Sequence, residues 1–310
     1  MEKRFAITGA TGLLGSNLVN RLVGMNIEVS VLIKDENSKS ILTKNVTRIY
    51  GDISDKHDIE FFIQKANPTH FVHLAAQTQA YDSLKYPYPT FYNNIVGTLN
   101  ILESLREFGN CKAIAVASSD KAYGELAGTK YLENHPLNGI YPYDASKSAT
   151  DIISNSFRKS YNLPIVVTRA CNIYGTGDYN RQRLIPGIIH SYLKQIEFII
   201  RNGGRDSREY IHVEDVVDAY LSLLSLVETD QTIGAFNISS SDAYTTMDLF
   251  NLIQMKLGAP IKHRVVNEPT LEIANQYMDA SLIMSKTNWR PNFRLESSIG
   301  EIVKWYLDNI

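Results

Sequence analysis

Seven residues near the start of the chain, Gly9-Ala10-Thr11-Gly12-Leu13-Leu14-Gly15, join a short apolar run, Arg4 to Thr8, to a stretch with helical spacing, Gly12 to Met25. Three glycines at that spacing between a strand and a helix leave few folds open, because each meets a separate demand. The first permits a tight turn, the second lets backbone approach a pyrophosphate, and the third allows close packing of helix and strand. The helix N-terminus behind them supplies N–H donors and the positive end of a dipole. The turn therefore predicts a dinucleotide site built from Gly9, Thr11, Gly12, Leu13, Leu14 and Gly15.

The same alternation continues along the chain. Apolar runs at Glu28 to Ile33, Val46 to Tyr50, His70 to Leu74, Ala113 to Ser118 and Pro164 to Arg169 are separated by helical patterns at Asp55 to Lys65, Phe91 to Phe108 and Tyr143 to Tyr161. Asn94, Thr98, Ile101, Leu102 and Leu105 illustrate the i, i+3, i+4 spacing. Strands alternating with helices build βαβ units, so the expected fold class is α/β: a Rossmann doubly wound parallel sheet with a smaller α/β C-terminal substrate lobe. After Arg169 the pattern loosens into turn-rich sequence. Helices are expected again at Val213 to Leu226, Thr246 to Leu257, Ser281 to Lys286 and Leu295 to Leu307, with a strand at Phe236 to Ser239. The predicted division is a dinucleotide-binding domain over 1–170, rejoined by 211–239, and a lobe from 171–210 and 240–310. That lobe would cover the carboxyl edge of the sheet, where open α/β sheets bind ligands.

Thirty-one Lys and Arg against 33 Asp and Glu give a net charge of -2, so no global field recruits nucleic acid or an anionic membrane. No run approaches the ~18 apolar residues of a membrane span. Met1-Glu2-Lys3-Arg4 leads directly into the first apolar run, with no room for a signal peptide, and a cytoplasmic protein is expected. Cys111 and Cys171 have neither a CxxC spacing nor nearby histidines and read as buried free thiols. His57, His135 and His263 lack metal-like spacing, and no metal site is expected.

Side chains around the glycine turn leave the cofactor's identity open. The second strand ends Lys34-Asp35: Asp35 suits ribose hydroxyls and Lys34 suits a 2'-phosphate, so NAD and NADP both fit. Asp52, followed by Ile53, places a carboxylate after the third strand where an adenine amino group is read.

Tyr143 and Lys147 stand four apart at the start of a helix and share one face. A phenol of pKa about 10 is a poor base at neutral pH, and a nearby ammonium favours its phenolate, so Lys147 is expected to depress Tyr143. Ser118, Ser119, Asp120 and Lys121 follow the fifth strand at the same sheet edge.

Taken together, the glycine turn, His73-Leu74-Ala75-Ala76, Asn94-Ile95-Val96-Gly97-Thr98, the serines after the fifth strand and Tyr143-x-x-x-Lys147 resemble the extended short-chain dehydrogenase/reductases. A closer likeness is to the nucleotide-sugar 4,6-dehydratases, particularly those acting on CDP-glucose. It runs through Ser118-Ser119-Asp120-Lys121-Ala122-Tyr123-Gly124, Pro142-Tyr143-Asp144-Ala145-Ser146-Lys147-Ser148 and Asn172-Ile173-Tyr174-Gly175. It continues through Arg183-Leu184-Ile185-Pro186-Gly187 and Arg208-Glu209-Tyr210-Ile211-His212. The resemblance implies an NAD- or NADP-dependent enzyme in which Leu74, Ala75, Ala76, Asn94, Ser118, Tyr143 and Lys147 also hold the cofactor. It implies that Tyr143 takes the proton of the hexose 4-hydroxyl, that Ser119 bonds the sugar oxygen, and that Asp120 is the acid for loss of the 6-hydroxyl. Most dehydratases have Glu where this chain has Lys121, so the base at carbon 5 stays open. The resemblance places Asn172 on the diphosphate of a nucleotide-sugar substrate, Arg208 on the diphosphate or the nucleoside ribose, and Arg183 beside the base; Arg205 is a further candidate cation. A homodimer through the helices at 91–108 and 143–161 is implied as well. Two other readings stand beside this one. A nucleotide-sugar 4-epimerase or 4-keto reductase needs no acid at position 120, and a non-catalytic dinucleotide-sensing protein would not need the Tyr143/Lys147 pair.

Overall fold

Every one of the six early apolar runs forms a strand within a residue or two of its expected limits. The computed structural model describes residues 2–126, 128, 130–268 and 273–309. Strands β1 (Arg4–Thr8), β2 (Glu28–Ile33), β3 (Thr47–Tyr50), β4 (His70–His73), β5 (Ala113–Ala117) and β6 (Ile165–Ala170) lie in one sheet. Outside it lie β7 (Asn172–Tyr174), β8 (Phe198–Ile200) and β9 (Ser207–His212), after which β10 (Ala235–Ile238) returns to the sheet's edge. The seven strands are all parallel, in the order β10-β6-β5-β4-β1-β2-β3.

Helices cover both faces, which is why the inner strands read as continuous apolar runs. They are α1 (Leu13–Gly24), α2 (Lys56–Ala66), α3 (Ala80–Lys85), α4 (Pro87–Phe91), α5 (Gly97–Phe108), α6 (Pro142–Tyr161), α7 (Leu184–Lys194) and α8 (Val213–Thr229), followed by α9 (Thr246–Leu257), α10 (Ser281–Lys286) and α11 (Leu295–Asn309). Leu18, Val19 and Leu22 of α1 pack with Val216, Val217 and Leu223 of α8 on one face. Ile59 and Phe62 of α2 pack with Ile101, Leu102 and Leu105 of α5 on the other. The chain leaves β1 toward β2 and β3, then crosses back to β4. The switch point between β1 and β4 opens a crevice at the carboxyl ends of the strands.

A third core, including Ile188, Ile189, Phe250, Ile253, Leu295 and Ile299, joins α7, α9 and α11 in the C-terminal part. Beside it, β9 is flanked by β11 (Ala243–Thr245), antiparallel to it, and by β7 and the short β13 (Asn275–Gln276), both parallel; β12 (His263–Val265) pairs with β8. These strands escape the sequence reading because they are two to six residues long and carry polar side chains such as Arg208 and Glu209. Helix α7 escapes it because of Pro186 and Gly187. The proline stands in the first turn, where its missing N–H is not needed.

The expected single helix from Phe91 to Phe108 is instead interrupted. A π-helical turn, Tyr92–Val96, separates α4 from α5. The extra residue per turn has a recognisable consequence, since the Asn94 carbonyl accepts from the Thr98 and Thr150 hydroxyls. Such turns recur at functional sites.

Candidate active site

The glycine turn closes as its three separate demands require. Gly9 has φ +72, and a Cβ there would stand 2.6 Å from the backbone nitrogen of Ala75; on Gly15 it would stand 2.1 Å from the Gly9 carbonyl oxygen. Gly12 differs, because its nearest neighbour would be 3.4 Å away. Gly12 also caps α1 without a side-chain hydrogen bond, and the first turn of that helix has no acidic residue. An uncapped helix end facing space suits an anion. A cavity of about 380 Å³ lies there, lined by Thr11, Gly12, Ser38, Lys39, Tyr179 and Arg181. The residues present thus fit a dinucleotide: the turn admits close approach, the helix offers donors, and Lys39 and Arg181 offer cations.

Around this turn, Leu13 is buried, Leu14 packs against the core of that face, and Ile53 lies under Gly97, where a Cβ would meet its side chain at 2.7 Å. Leu74 and Ala75 follow β4 against Gly9, and Ala76 continues that loop to Gln77. His73, buried beneath them, bridges the Thr8 hydroxyl at 2.8 Å and the Thr98 hydroxyl at 3.1 Å; burial pushes its imidazole down to about 3, so it is neutral. At the far end, Lys34 Nζ stands 2.7 Å from Asp52 Oδ2, and Asp35 accepts from the backbone N–H of Asn37. The ion pair helps hold Asp52 below the usual carboxylate range. Asn94 accepts from Gln77 N–H at 2.7 Å and donates to the Ser146 hydroxyl at 2.8 Å, tying the π-helical turn to α6.

Strand β5 and helix α6 bring the reactive side chains together. Lys147 is 4% exposed and donates through Nζ to the Ala117 carbonyl at 2.8 Å, while the Ser118 hydroxyl donates to the Lys147 carbonyl at 3.3 Å. A 3-10 turn, Asp120–Tyr123, follows, capped by Ser119, whose Oγ accepts from Lys121 N–H and donates to Asp120 Oδ1 at 2.8 Å. Ser148 on α6 donates to the Ala122 carbonyl at 2.7 Å, which locks this turn to the helix carrying Tyr143 and Lys147.

The expectation that Lys147 depresses Tyr143 does not hold in this structure. Burial pushes the Tyr143 phenol up to about 12; the nearby Asp120 carboxylate adds to this, and the Ser119 hydroxyl and Arg183 only partly oppose it. Burial pushes the Lys147 ammonium down to about 8, and it bonds a carbonyl rather than the phenol. Desolvation disfavours the charged form of each and is the largest cause in both.

The side chains expected to meet the nucleotide sugar each have protein partners. Arg183 pairs with Asp178 at 3.2 Å, and Arg208 Nη1 donates to the carbonyls of Ser207 and Ala274 at 2.9 and 2.7 Å. Asn172 donates to the Glu209 carbonyl at 3.2 Å, and Arg205 to Asn202. Two buried polar side chains to which the sequence reading gave no role bond to these elements. Glu209, 3% exposed, accepts from the Ser239 hydroxyl and from Met278 N–H, both at 2.8 Å. Gln276, 2% exposed, accepts from Lys121 Nζ at 3.0 Å. Glu209 lies inside the quoted Arg208 to His212 segment, whereas Gln276 sits in a two-residue strand with no local signal. Cys171 is buried as expected, but Cys111 is only half-buried, and both are free thiols.

No group of three or more His, Cys, Asp or Glu side chains suited to a metal exists among the described residues. Nor is any helix among them long and apolar enough to cross a membrane.

Comparison with known proteins agrees with this geometry. Residues 5–239 match the NAD dependent epimerase/dehydratase family. CDP-glucose 4,6-dehydratase of Salmonella typhimurium is 29% identical, over 98% of this chain and 90% of that protein. A putative UDP-glucose 4-epimerase of Methanocaldococcus jannaschii is 27% identical over 98% of both. Among solved structures, UDP-glucose 4-epimerase of Thermotoga maritima with UDP-glucose superimposes with a TM-score of 0.89 at 25% identity over 98% of both chains. dTDP-glucose 4,6-dehydratase of Bacillus anthracis with NAD gives 0.86 at 25% identity, over 99% of this chain and 97% of that one. With three quarters of its length in the match and the glycine turn, Tyr143 and Lys147 all inside it, the chain belongs to the NAD dependent epimerase/dehydratase family.

Proposed function

We propose that the protein is a nucleotide-sugar 4,6-dehydratase, converting an NDP-hexose to its 4-keto-6-deoxy derivative. The observation that carries this reading is Asp120: a buried carboxyl bonded to Ser119 and close enough to Tyr143 to shift its phenol. A 4-epimerase has no use for an acid at that place. The nicotinamide group, when bound, supplies temporary storage for a hydride, and its oxidised form adds a positive charge. Gly9, Thr11, Gly12, Leu13, Leu14 and Gly15 would hold the pyrophosphate. The pairing of Lys34 with Asp52 leaves Asp35 to take the ribose, which favours NAD over NADP.

In this reading Ser119 orients the 4-hydroxyl of the hexose and Tyr143 accepts its proton; Lys147 orients the ribose beside it and at pH 7 remains mostly protonated. A ketone at carbon 4 acidifies the proton on carbon 5. Asp120 donates a proton to the departing 6-hydroxyl, so that water leaves. The carbon 5 proton passes to a base in contact with solvent as the water leaves, and carbon 6 then takes back the hydride while carbon 5 takes a proton; Lys121 stands next to Asp120 on the same 3-10 turn. Asn172, Arg183 and Arg208 receive the nucleoside diphosphate, whose charges need local cations in a chain of net charge -2. The substrate lobe comprises 171–210 and 240–310, with the remainder holding the dinucleotide. Two copies pair through α5 and α6, whose outer sides expose Leu99 and Ile152.

Incubation with CDP-glucose, GDP-mannose, UDP-glucose and dTDP-glucose, with the product read by NMR, tests the reading. One of them is expected to yield a 4-keto-6-deoxy sugar, and Asp120→Asn to slow that elimination by ~10²-fold or more. The second reading, a 4-epimerase, is favoured by a likeness to 4-epimerases nearly as strong as that to dehydratases. A 4-epimer as the only product would establish it instead.

A further inference from the structure

Residues 274 to 278 form a strap across the carboxyl edge of the sheet, and its fastenings reach both ends of the proposed substrate. The Ala274 carbonyl accepts from Arg208, the Gln276 amide oxygen from Lys121, and the backbone N–H of Met278 donates to Glu209. The Tyr277 carbonyl accepts from Tyr131 N–H on the opposite side. Glu209 is the inner fastening, a carboxyl that is 3% exposed and also bonds Ser239. Burying such a group is unfavourable unless its bonds are kept, so the strap's position is well determined.

Gln276 is oriented against its own interest. An ammonium only donates, so the amide must turn its oxygen to Lys121. That leaves the amide nitrogen near the Tyr131 phenol with no well-formed hydrogen bond, in a side chain that is 2% exposed. A buried donor left unpaired is destabilising. The natural replacement for a purely structural role here would be an apolar side chain of the same length.

Resting on the dehydratase reading, we infer that Gln276 is a positioning residue for the reaction: it holds the Lys121 ammonium at the turn that carries Asp120, at a distance from Arg208 that the strap fixes. The test is Gln276→Met, which keeps length and volume but removes the acceptor. Wild-type product is read first, by NMR. A 4-epimer would remove the dehydratase reading and this inference with it. Given a 4-keto-6-deoxy product, Gln276→Met is expected to lower kcat by about tenfold with KM within about twofold. Its thermal midpoint should equal or exceed that of the wild type, because the poorly paired buried amide is gone. Gln276→Glu, which retains an oxygen acceptor, should keep more of kcat than Gln276→Met. Wild-type kcat in Gln276→Met, or a loss of kcat accompanied by a matching fall in thermal midpoint, would overturn the inference.

Discussion

The phenol of Tyr143 and the ammonium of Lys147 are both moved against their charged forms by the same cause. Each is desolvated, so burial alone holds the phenol protonated at neutral pH, and the positive charge that an oxidised nicotinamide would add favours its base form. Tyr143→Phe removes the proton acceptor without changing the shape of the site. It is expected to lower kcat by ~10²–10⁴-fold while leaving KM within a few-fold, as steady-state kinetics would show. Glu209 gives a separate prediction about pH. Its folded pKa is raised to about 7 from the ordinary 4.5, because burial and the Asp120 carboxylate favour the neutral acid. The folded state therefore binds the extra proton between those values, and the stability Glu209 contributes is present below the ordinary value and lost as pH rises through about 7. Glu209→Gln can keep the acceptor for Ser239 and Met278. Its urea denaturation midpoint should match the wild type near pH 4.5 and exceed it at pH 8, by roughly 2 kcal/mol in unfolding free energy. A lower stability at pH 8 would mean that the carboxylate's charge is needed.

At the scale of elements, the strand-to-helix turn separates folding from binding within one short segment. Gly15→Ala forces a Cβ into the Gly9 carbonyl and should sharply lower the thermal midpoint, whereas Gly12→Ala meets only an ordinary contact. Gly12→Ala is therefore expected to fold with a nearly unchanged midpoint yet retain little dinucleotide, measured by mass spectrometry of ligand released from the purified protein. The same scale shows what the sequence makes legible. Strands β1 and β2 and helices α9 and α10 have the limits their patterns predict, because buried parallel strands are continuous apolar runs and helices repeat every 3.6 residues. The break at Tyr92–Val96 is not legible. A π-helical turn keeps helical backbone and periodicity almost intact, and only the partners of Asn94 reveal it.

Over the whole molecule, legibility falls off from the dinucleotide half to the substrate half. Each strand of the main sheet is specified by its own residues, whereas β7, β9, β11 and β13 exist only because segments distant in sequence meet. Arg208, Glu209 and Gln276 become one wall of the site when β13 pairs with β9, and no local pattern announces that register. Ser119, Asp120, Tyr143 and Lys147 were readable because they follow one strand and begin one helix, and Ser148 bonded to Ala122 holds those two elements together. What the wall around Lys121 does is where dehydratase and epimerase part, since only the elimination draws a proton from carbon 5 and replaces it from solvent. Turnover of the accepted nucleotide hexose in deuterium oxide, followed by mass spectrometry and NMR, tests this most directly. The expected product is lighter by one water and carries solvent deuterium at carbon 5. A product of unchanged mass, inverted at carbon 4 and free of deuterium, would contradict it.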